Sequence, residues 1–332
     1  MPTYSIHDFV TISADHPLPI PDWFIVDQYF DSNSDIIVKT DTIDYCTKSY
    51  SSVGDNYLWD RMKRSLIVDW GYGVRAELMD LSGNANVRIS PLYRRAADYH
   101  YLIRSILRYR LLAKNVAFVF GSGIRDPNGD GVLIIGWRNM GKTSTALTLS
   151  QLPNTAFLGD DVVLIHNDEA YAFPKAVGLS PHTVIPQGKI SMRKRIERYF
   201  RSMCSAIPFS EALSSVPESK ASVPAKRFAN LTATAPINYC FFLYPDEEET
   251  VKELPPSEAA RRTIFASMSI SDTKNTYHHL VNTYFYLSDI KTEAVFGSHN
   301  SVLTKALSDA DAIQLSVPKD QYVEKIVDRA GW

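Results

Sequence analysis

The segment GWRNMGKT, residues 136–143, has the residue types and spacing of a phosphate-binding loop, G-x-x-x-x-G-K-[ST]. In such loops backbone N–H groups surround the β-phosphate, the lysine contacts the β- and γ-phosphates, and the hydroxyl residue binds Mg²⁺. The pattern therefore predicts a site for a nucleoside triphosphate with Mg²⁺, and it leaves open whether the nucleotide is ATP. The predicted nucleotide-binding residues are Gly136, Trp137, Arg138, Asn139, Met140, Gly141, Lys142, Thr143 and Ser144.

Large side chains occupy loop positions where small residues are more usual. Trp137, Arg138 and Asn139 follow the first glycine. Because the backbone and not these side chains forms the phosphate cradle, the side chains can point outward without abolishing the site. The alternative is a glycine turn between a strand and a helix that binds nothing.

Two adjacent aspartates follow the next apolar segment, AFL, at positions 160 and 161. One carboxylate in this place typically holds Mg²⁺, and a second can act as general base towards an attacking hydroxyl. The predicted catalytic residues are thus Asp160, Asp161 and Lys142, and the predicted metal ligands are Thr143 and Asp160. The sequence leaves open which aspartate is the base, and Asp161 could instead belong only to the turn before VVLI.

The elements that must position these residues are visible in the hydrophobic pattern. Residues 132–136 (VLIIG) predict a strand directly before the loop, and a helical pattern begins at Lys142 and stops before Pro153. Residues 126–131 (DPNGDG) indicate a hairpin turn. Upstream, residues 99–111 predict an amphipathic helix whose arginines at 104, 108 and 110 mostly face away from its apolar side.

The chain divides by pattern into two parts. Residues 1–93 contain short β-branched segments separated by glycines and predict a small β-rich N-terminal module. Residues 94–332 predict an α/β domain with a basic, polar insertion at about 186–236. Further strands are predicted at 237–244 and 312–317, and helices at 257–268, 277–287 and after residue 319.

Composition limits the classes of function. A hydrophobic fraction of 45% with 22% charged residues is typical of a globular protein, and the net charge of -2 gives no general case for nucleic acid or an anionic membrane. The three cysteines are too far apart for a disulfide framework or a zinc site. We find neither a signal-peptide pattern nor an apolar run of about 18 residues, so the expected location is the cytoplasm.

In order, these segments resemble the catalytic domain of HPr kinase/phosphorylase and related P-loop proteins. The matching segments are YHYLIRSILRYRLL, VAFVFGSG, GVLIIGWRNMGKT, TALTLSQL, FLGDDVVLI and YAFPKAVGLSP, which cover about residues 95–185. The resemblance implies an α/β P-loop domain related to phosphoenolpyruvate carboxykinase. It also implies transfer of the γ-phosphoryl group of ATP to a hydroxyl with Mg²⁺, and a homo-oligomer.

Two departures argue against a true HPr kinase. Where relatives carry a histidine, this chain has Phe120 in the stretch Phe-Gly-Ser, and the signature for the HPr protein is not recognisable after residue 185. The acceptor is therefore expected to be a different hydroxyl, on a small molecule or a peptide. The alternative is a nucleotide-binding regulatory switch or NTPase without an acceptor.

A basic segment follows the predicted site. Residues 191–201 have a helical pattern, and the segment 189–201 carries six cations, Lys189, Arg193, Lys194, Arg195, Arg198 and Arg201. They could bind an anionic substrate, or they could form a solvated helix face.

Overall fold

The structure, a computed structural model, describes residues 1–27, 33–45, 50–95, 99–179, 221–271, 276–290 and 292–332. The predicted basic helix at 191–201, Cys46 and Cys204 lie outside these ranges. By its contacts the chain forms two compact units, residues 1–116 with 271–299, and residues 117–270 with 300–332. This division by contacts does not test independent folding, so the domain boundary expected at residue 93 stays a prediction.

The first unit is built on a nine-stranded mixed sheet in the order β3-β1-β2-β4-β9-β8-β7-β6-β5. Strand β4 pairs in parallel with β2 and β9, and the other neighbours are antiparallel. The strands are β1 Thr3–Ile6, β2 Val10–Ala14, β3 Ile25–Asp27, β4 Ile36–Thr40, β5 Ser51–Gly54, β6 Tyr57–Asp60, β7 Ser65–Asp69, β8 Arg75–Met79 and β9 Ala85–Ile89.

Helices α1 (Pro91–Arg95), α2 (Tyr99–Ala113) and α5 (Thr276–Leu287) belong to this unit. Helix α2 is the predicted amphipathic helix, but the prediction that Arg110 faces away from its apolar side is wrong. Arg110 is buried and donates hydrogen bonds to the carbonyl oxygen of Ser82 at 2.9 Å and to Asp35 at 3.3 Å. Its two terminal nitrogens therefore have acceptors, which offset part of the cost of burying the charge.

The second unit is built on another nine-stranded mixed sheet. Seven strands follow the order β10-β14-β15-β18-β12-β11-β13, and β20 pairs with both β18 and β19. The strands are β10 Ala117–Val119, β11 Ser122–Arg125, β12 Gly131–Ile135, β13 Ala156–Gly159, β14 Val163–His166, β15 Glu169–Ala172, β18 Thr234–Pro245, β19 Thr250–Glu253 and β20 Asp311–Val317; β16 Val177–Leu179 and β17 Ala221–Val223 form a separate pair.

Helices cover both faces of this sheet because successive strand residues point to opposite sides. Leu133 and Ile135 of β12 pack on one side with α4 (Pro256–Ser271) and α6 (Thr292–Ala306). Val132 and Ile134 pack on the other side with α3 (Lys142–Leu149) and α7 (Tyr322–Ala330).

The predicted fold class is wrong. We expected a P-loop domain of the HPr kinase/phosphoenolpyruvate carboxykinase type with a small β-rich N-terminal module. The structure is a mixed α/β fold with two nine-stranded mixed sheets and, in the described ranges, seven helices. The short N-terminal strands join edge to edge into a full sheet, and hairpins such as β11–β12 and β14–β15 make the second sheet mixed. The hydrophobic pattern of a sequence indicates single strands but not which strands pair with each other.

Candidate functional site

The loop of residues 136–141 connects strand β12 to helix α3, as the sequence predicted. Asn139 and Gly141 have φ angles of 63° and 101°, so the chain turns through the left-handed region twice before the helix begins. Glycine enters this region at little cost, whereas a larger residue at 141 would be strained and would approach the ring of Tyr322 at 3.6 Å. Trp137 is 49% exposed, and Arg138 and Asn139 are also exposed.

Lys142 lies across the beginning of the loop. Its Nζ donates hydrogen bonds of 2.7 Å to the carbonyl oxygens of Gly136 and Trp137. An ammonium has three donors, so these bonds leave one for an anion at the loop. The side chain is buried, and this burial lowers the pKa of Lys142, opposed by the charges of Asp161 and Asp160.

Thr143 and Asp160 are brought together although they are 17 residues apart. The Thr143 hydroxyl donates to Oδ1 and Oδ2 of Asp160 at 2.9 and 3.1 Å. Strand β11 is antiparallel to both β12 and β13, so β12 and β13 run in the same direction and end at the same edge of the sheet. The loop after β12 and the carboxylate after β13 therefore meet there.

Asp160 is fully enclosed, with 1% of its surface exposed. Burial, and next the charge of Asp161, raise the pKa of Asp160 to about 6, and hydrogen bonds from Ser122 and Thr143 oppose this shift. The Ser122 hydroxyl donates to Oδ1 of Asp160 at 2.8 Å. Ser122 is thus a site residue that our site prediction did not include.

Asp161 has a different environment from its neighbour. Its φ angle is 61°, and its Oδ2 forms an ion pair of 2.7 Å with Nζ of Lys175, which precedes β16. The Asp161 side chain is 43% exposed. The two aspartates therefore differ: one is buried against the loop threonine, and the other is open to solvent and paired with a lysine.

The arrangement fits Mg²⁺ only together with phosphate. Among the described residues, no group of three or more histidine, cysteine, aspartate or glutamate side chains could hold a metal ion alone. Mg²⁺ at nucleotide sites takes one or two protein oxygens plus water and phosphate oxygens. Thr143 and Asp160 supply two such oxygens next to the loop.

No protein-family model matches the chain, and no curated protein is similar to it in sequence. None of the described helices is both long and apolar enough to cross a membrane. The resemblance to HPr kinase-like proteins thus depends on the segments quoted above.

We predict that Asp160→Asn stabilises the ligand-free protein at pH 8. The folded-state pKa lies above the ordinary value of 3.8, so between about pH 4 and 6 the folded protein binds more protons than the unfolded chain, and the unfolding free energy falls as pH rises. Removing the charge should raise the free energy of unfolding by at most about 3 kcal/mol above pH 6, and by less at pH 5. Urea unfolding without Mg²⁺ at pH 8 and at pH 5 measures this, and Asp309→Asn, at an exposed aspartate after α6, is the control. A variant less stable than wild type at pH 8 would refute the prediction.

Proposed function

We propose that this chain is an ATP-dependent kinase that transfers the γ-phosphoryl group to a hydroxyl of a small molecule or peptide. The observation that carries the proposal is the contact of 2.9 Å between the Thr143 hydroxyl and the Asp160 carboxylate at the edge where the glycine loop lies. Lys142 adds a buried cation to the same loop. Cation, metal ligands and loop backbone are the parts that phosphoryl transfer uses for positioning and charge stabilisation.

The environments of the two aspartates support a division of roles. Asp160, which touches Thr143 and Ser122, would hold Mg²⁺, and the metal when bound would neutralise charge on the phosphate oxygens. Asp161, which is exposed to solvent, would accept the proton of the acceptor hydroxyl. The hydroxyl oxygen forms the new bond to the γ-phosphorus, and the bond to the bridging oxygen breaks and releases ADP. Lys175 would orient the Asp161 carboxylate.

One observation favours a second function, a nucleotide-binding switch or NTPase without an acceptor. The ion pair between Asp161 and Lys175 weakens Asp161 as a base, because a neighbouring ammonium stabilises the charged carboxylate. In a switch this pair would be structural, and Asp160 alone would suffice for the metal.

The experiment that separates the two functions is a screen of alcohols and serine peptides with Mg²⁺·ATP. We expect phosphorylated product with at least one acceptor class. We also expect little ADP release without acceptor, because the apolar Phe120 replaces the histidine of the family this chain resembles and should help exclude water. ADP release and product are measured in the same reactions. Rapid hydrolysis that no acceptor changes would identify the NTPase instead.

A further inference from the structure

A cavity of about 250 Å³ lies directly beside the beginning of the phosphate loop. Its lining comes from three places: Gly136, Trp137 and Met140 of the loop, Tyr244 at the end of β18, and one face of helix α4. We call it the aromatic cleft. Because β18 and β12 are parallel, the cleft lies at the carboxyl ends of these strands, where α/β sheets usually bind ligands.

One face of α4 lines the aromatic cleft. The residues are Glu258, Arg261, Arg262, Phe265 and Ala266, which are spaced three or four apart and so share a face. Glu258 accepts a hydrogen bond of 2.6 Å from Arg262, and Gln314 accepts another at the same distance. The Arg262 guanidinium also lies 5.7 Å from the centroid of the Tyr244 ring. Glu258 also accepts hydrogen bonds from Arg261, so it pairs with both arginines of the cleft, although the Arg261 side chain is 63% exposed.

Two large aromatic side chains of the cleft are exposed. Trp137 is 49% exposed and Phe265 is 59% exposed, one from the loop and one from α4. Exposed aromatic rings beside a cavity are suited to a planar ligand, since stacking buries their faces. The cleft shares Gly136, Trp137 and Met140 with the phosphate loop, so a single ligand can contact both.

We propose that the aromatic cleft binds the nucleobase of the nucleotide whose phosphates the loop holds, stacked on Trp137 and Phe265. This inference rests on the proposed function. Glu258 and Arg262 already bond to each other, and Arg261 bonds to Glu258, so we expect stacking and not hydrogen bonding to the base edge to determine the preference. The cleft therefore accepts ATP and GTP with similar affinity and binds them more tightly than CTP or UTP, whose single ring offers less surface.

The test measures the affinity of the whole chain for two Mg²⁺ complexes in titrations. One contains ATP, and the other contains inorganic tripolyphosphate, which has no base. Phe265→Leu keeps an apolar side chain but removes the ring. It should weaken ATP binding about tenfold and leave tripolyphosphate binding unchanged. Phe265→Trp is the matched control, because it keeps a stacking surface and should bind ATP like wild type. Trp137→Leu should also weaken ATP binding, because it removes the second ring.

The outcomes separate this inference from the proposed function. If wild type binds ATP and both leucine variants bind it as tightly, the nucleobase site is overturned and the phosphate site stands. The same holds if Phe265→Leu loses ATP and tripolyphosphate affinity equally, since a base contact cannot affect tripolyphosphate. If wild type binds neither compound, the phosphate loop proposal fails and the nucleobase site fails with it.

Discussion

Replacing Lys142 by alanine is expected to weaken binding of Mg²⁺·ATP by roughly 10- to 150-fold. This range corresponds to about 1.5–3 kcal/mol for a hydrogen bond to a charged group. The ammonium lies against the Gly136 and Trp137 carbonyls with one donor left for phosphate, and alanine removes that donor. The fold should survive, because the variant also removes a buried charge whose pKa is lowered by its burial. Calorimetric titration with Mg²⁺·ATP measures the effect.

Lys305→Ala is the matched control for this variant. Lys305 is an exposed lysine at the end of α6, and its loss removes one positive charge without touching the loop. It should bind Mg²⁺·ATP like wild type. If Lys142→Ala bound Mg²⁺·ATP as tightly as wild type, the phosphate-loop interpretation would be contradicted. If both variants lost the same affinity for Mg²⁺·ATP, the effect would come from the net charge of the protein and not from the loop.

The two aspartate variants are expected to reduce phosphoryl transfer for different reasons. Asp160→Asn removes the charged oxygen beside Thr143, so transfer should fall and the Mg²⁺ concentration for half-maximal rate should rise. Asp161→Asn should reduce the transfer rate about 10²- to 10⁴-fold, as expected for loss of a general base. Its Mg²⁺ dependence should not change, because Asp161 pairs with Lys175 and not with the threonine.

Initial rates with the acceptor found in the screen, measured across a series of Mg²⁺ concentrations, separate these effects. Lys175→Met tests the role of the ion pair. If Lys175 positions the Asp161 carboxylate, this variant should transfer phosphate more slowly but bind Mg²⁺·ATP with unchanged affinity. Wild-type rates in both aspartate variants would contradict the kinase proposal and favour the switch.

Local elements of this fold follow from the sequence, but their partners do not. The predicted strands at 237–244 and 312–317 match β18 Thr234–Pro245 and β20 Asp311–Val317, because apolar and β-branched segments of strand length can be recognised locally. The sheet order places β4 between β2 and β9, which no local pattern specifies. Arg110 illustrates the consequence: its partner Asp35 is 75 residues away, so its burial depends on the sheet order.

The candidate site divides in the same way. The loop and the two aspartates are recognisable because the spacing of neighbouring residues defines them. Ser122 was not predicted as a partner of Asp160, from which it is 38 residues distant, and Lys175 was not predicted as a partner of Asp161. Phe265 and Arg262 line the same cleft as the loop only because β18 pairs with β12 and α4 packs on that sheet face. Of these residues, only Lys175 lies near its partner in the sequence, 14 residues after Asp161.

The central claim is that the loop after β12 holds the phosphates of a nucleotide together with Mg²⁺. The most direct measurement is a calorimetric titration of the wild-type protein with ATP, in Mg²⁺ and again in excess EDTA. We predict one site per chain with a dissociation constant on the order of micromolar to millimolar in Mg²⁺, clearly weaker binding in EDTA, and displacement of ATP by tripolyphosphate. Absence of binding in Mg²⁺, or binding that neither EDTA nor tripolyphosphate changes, would contradict the claim.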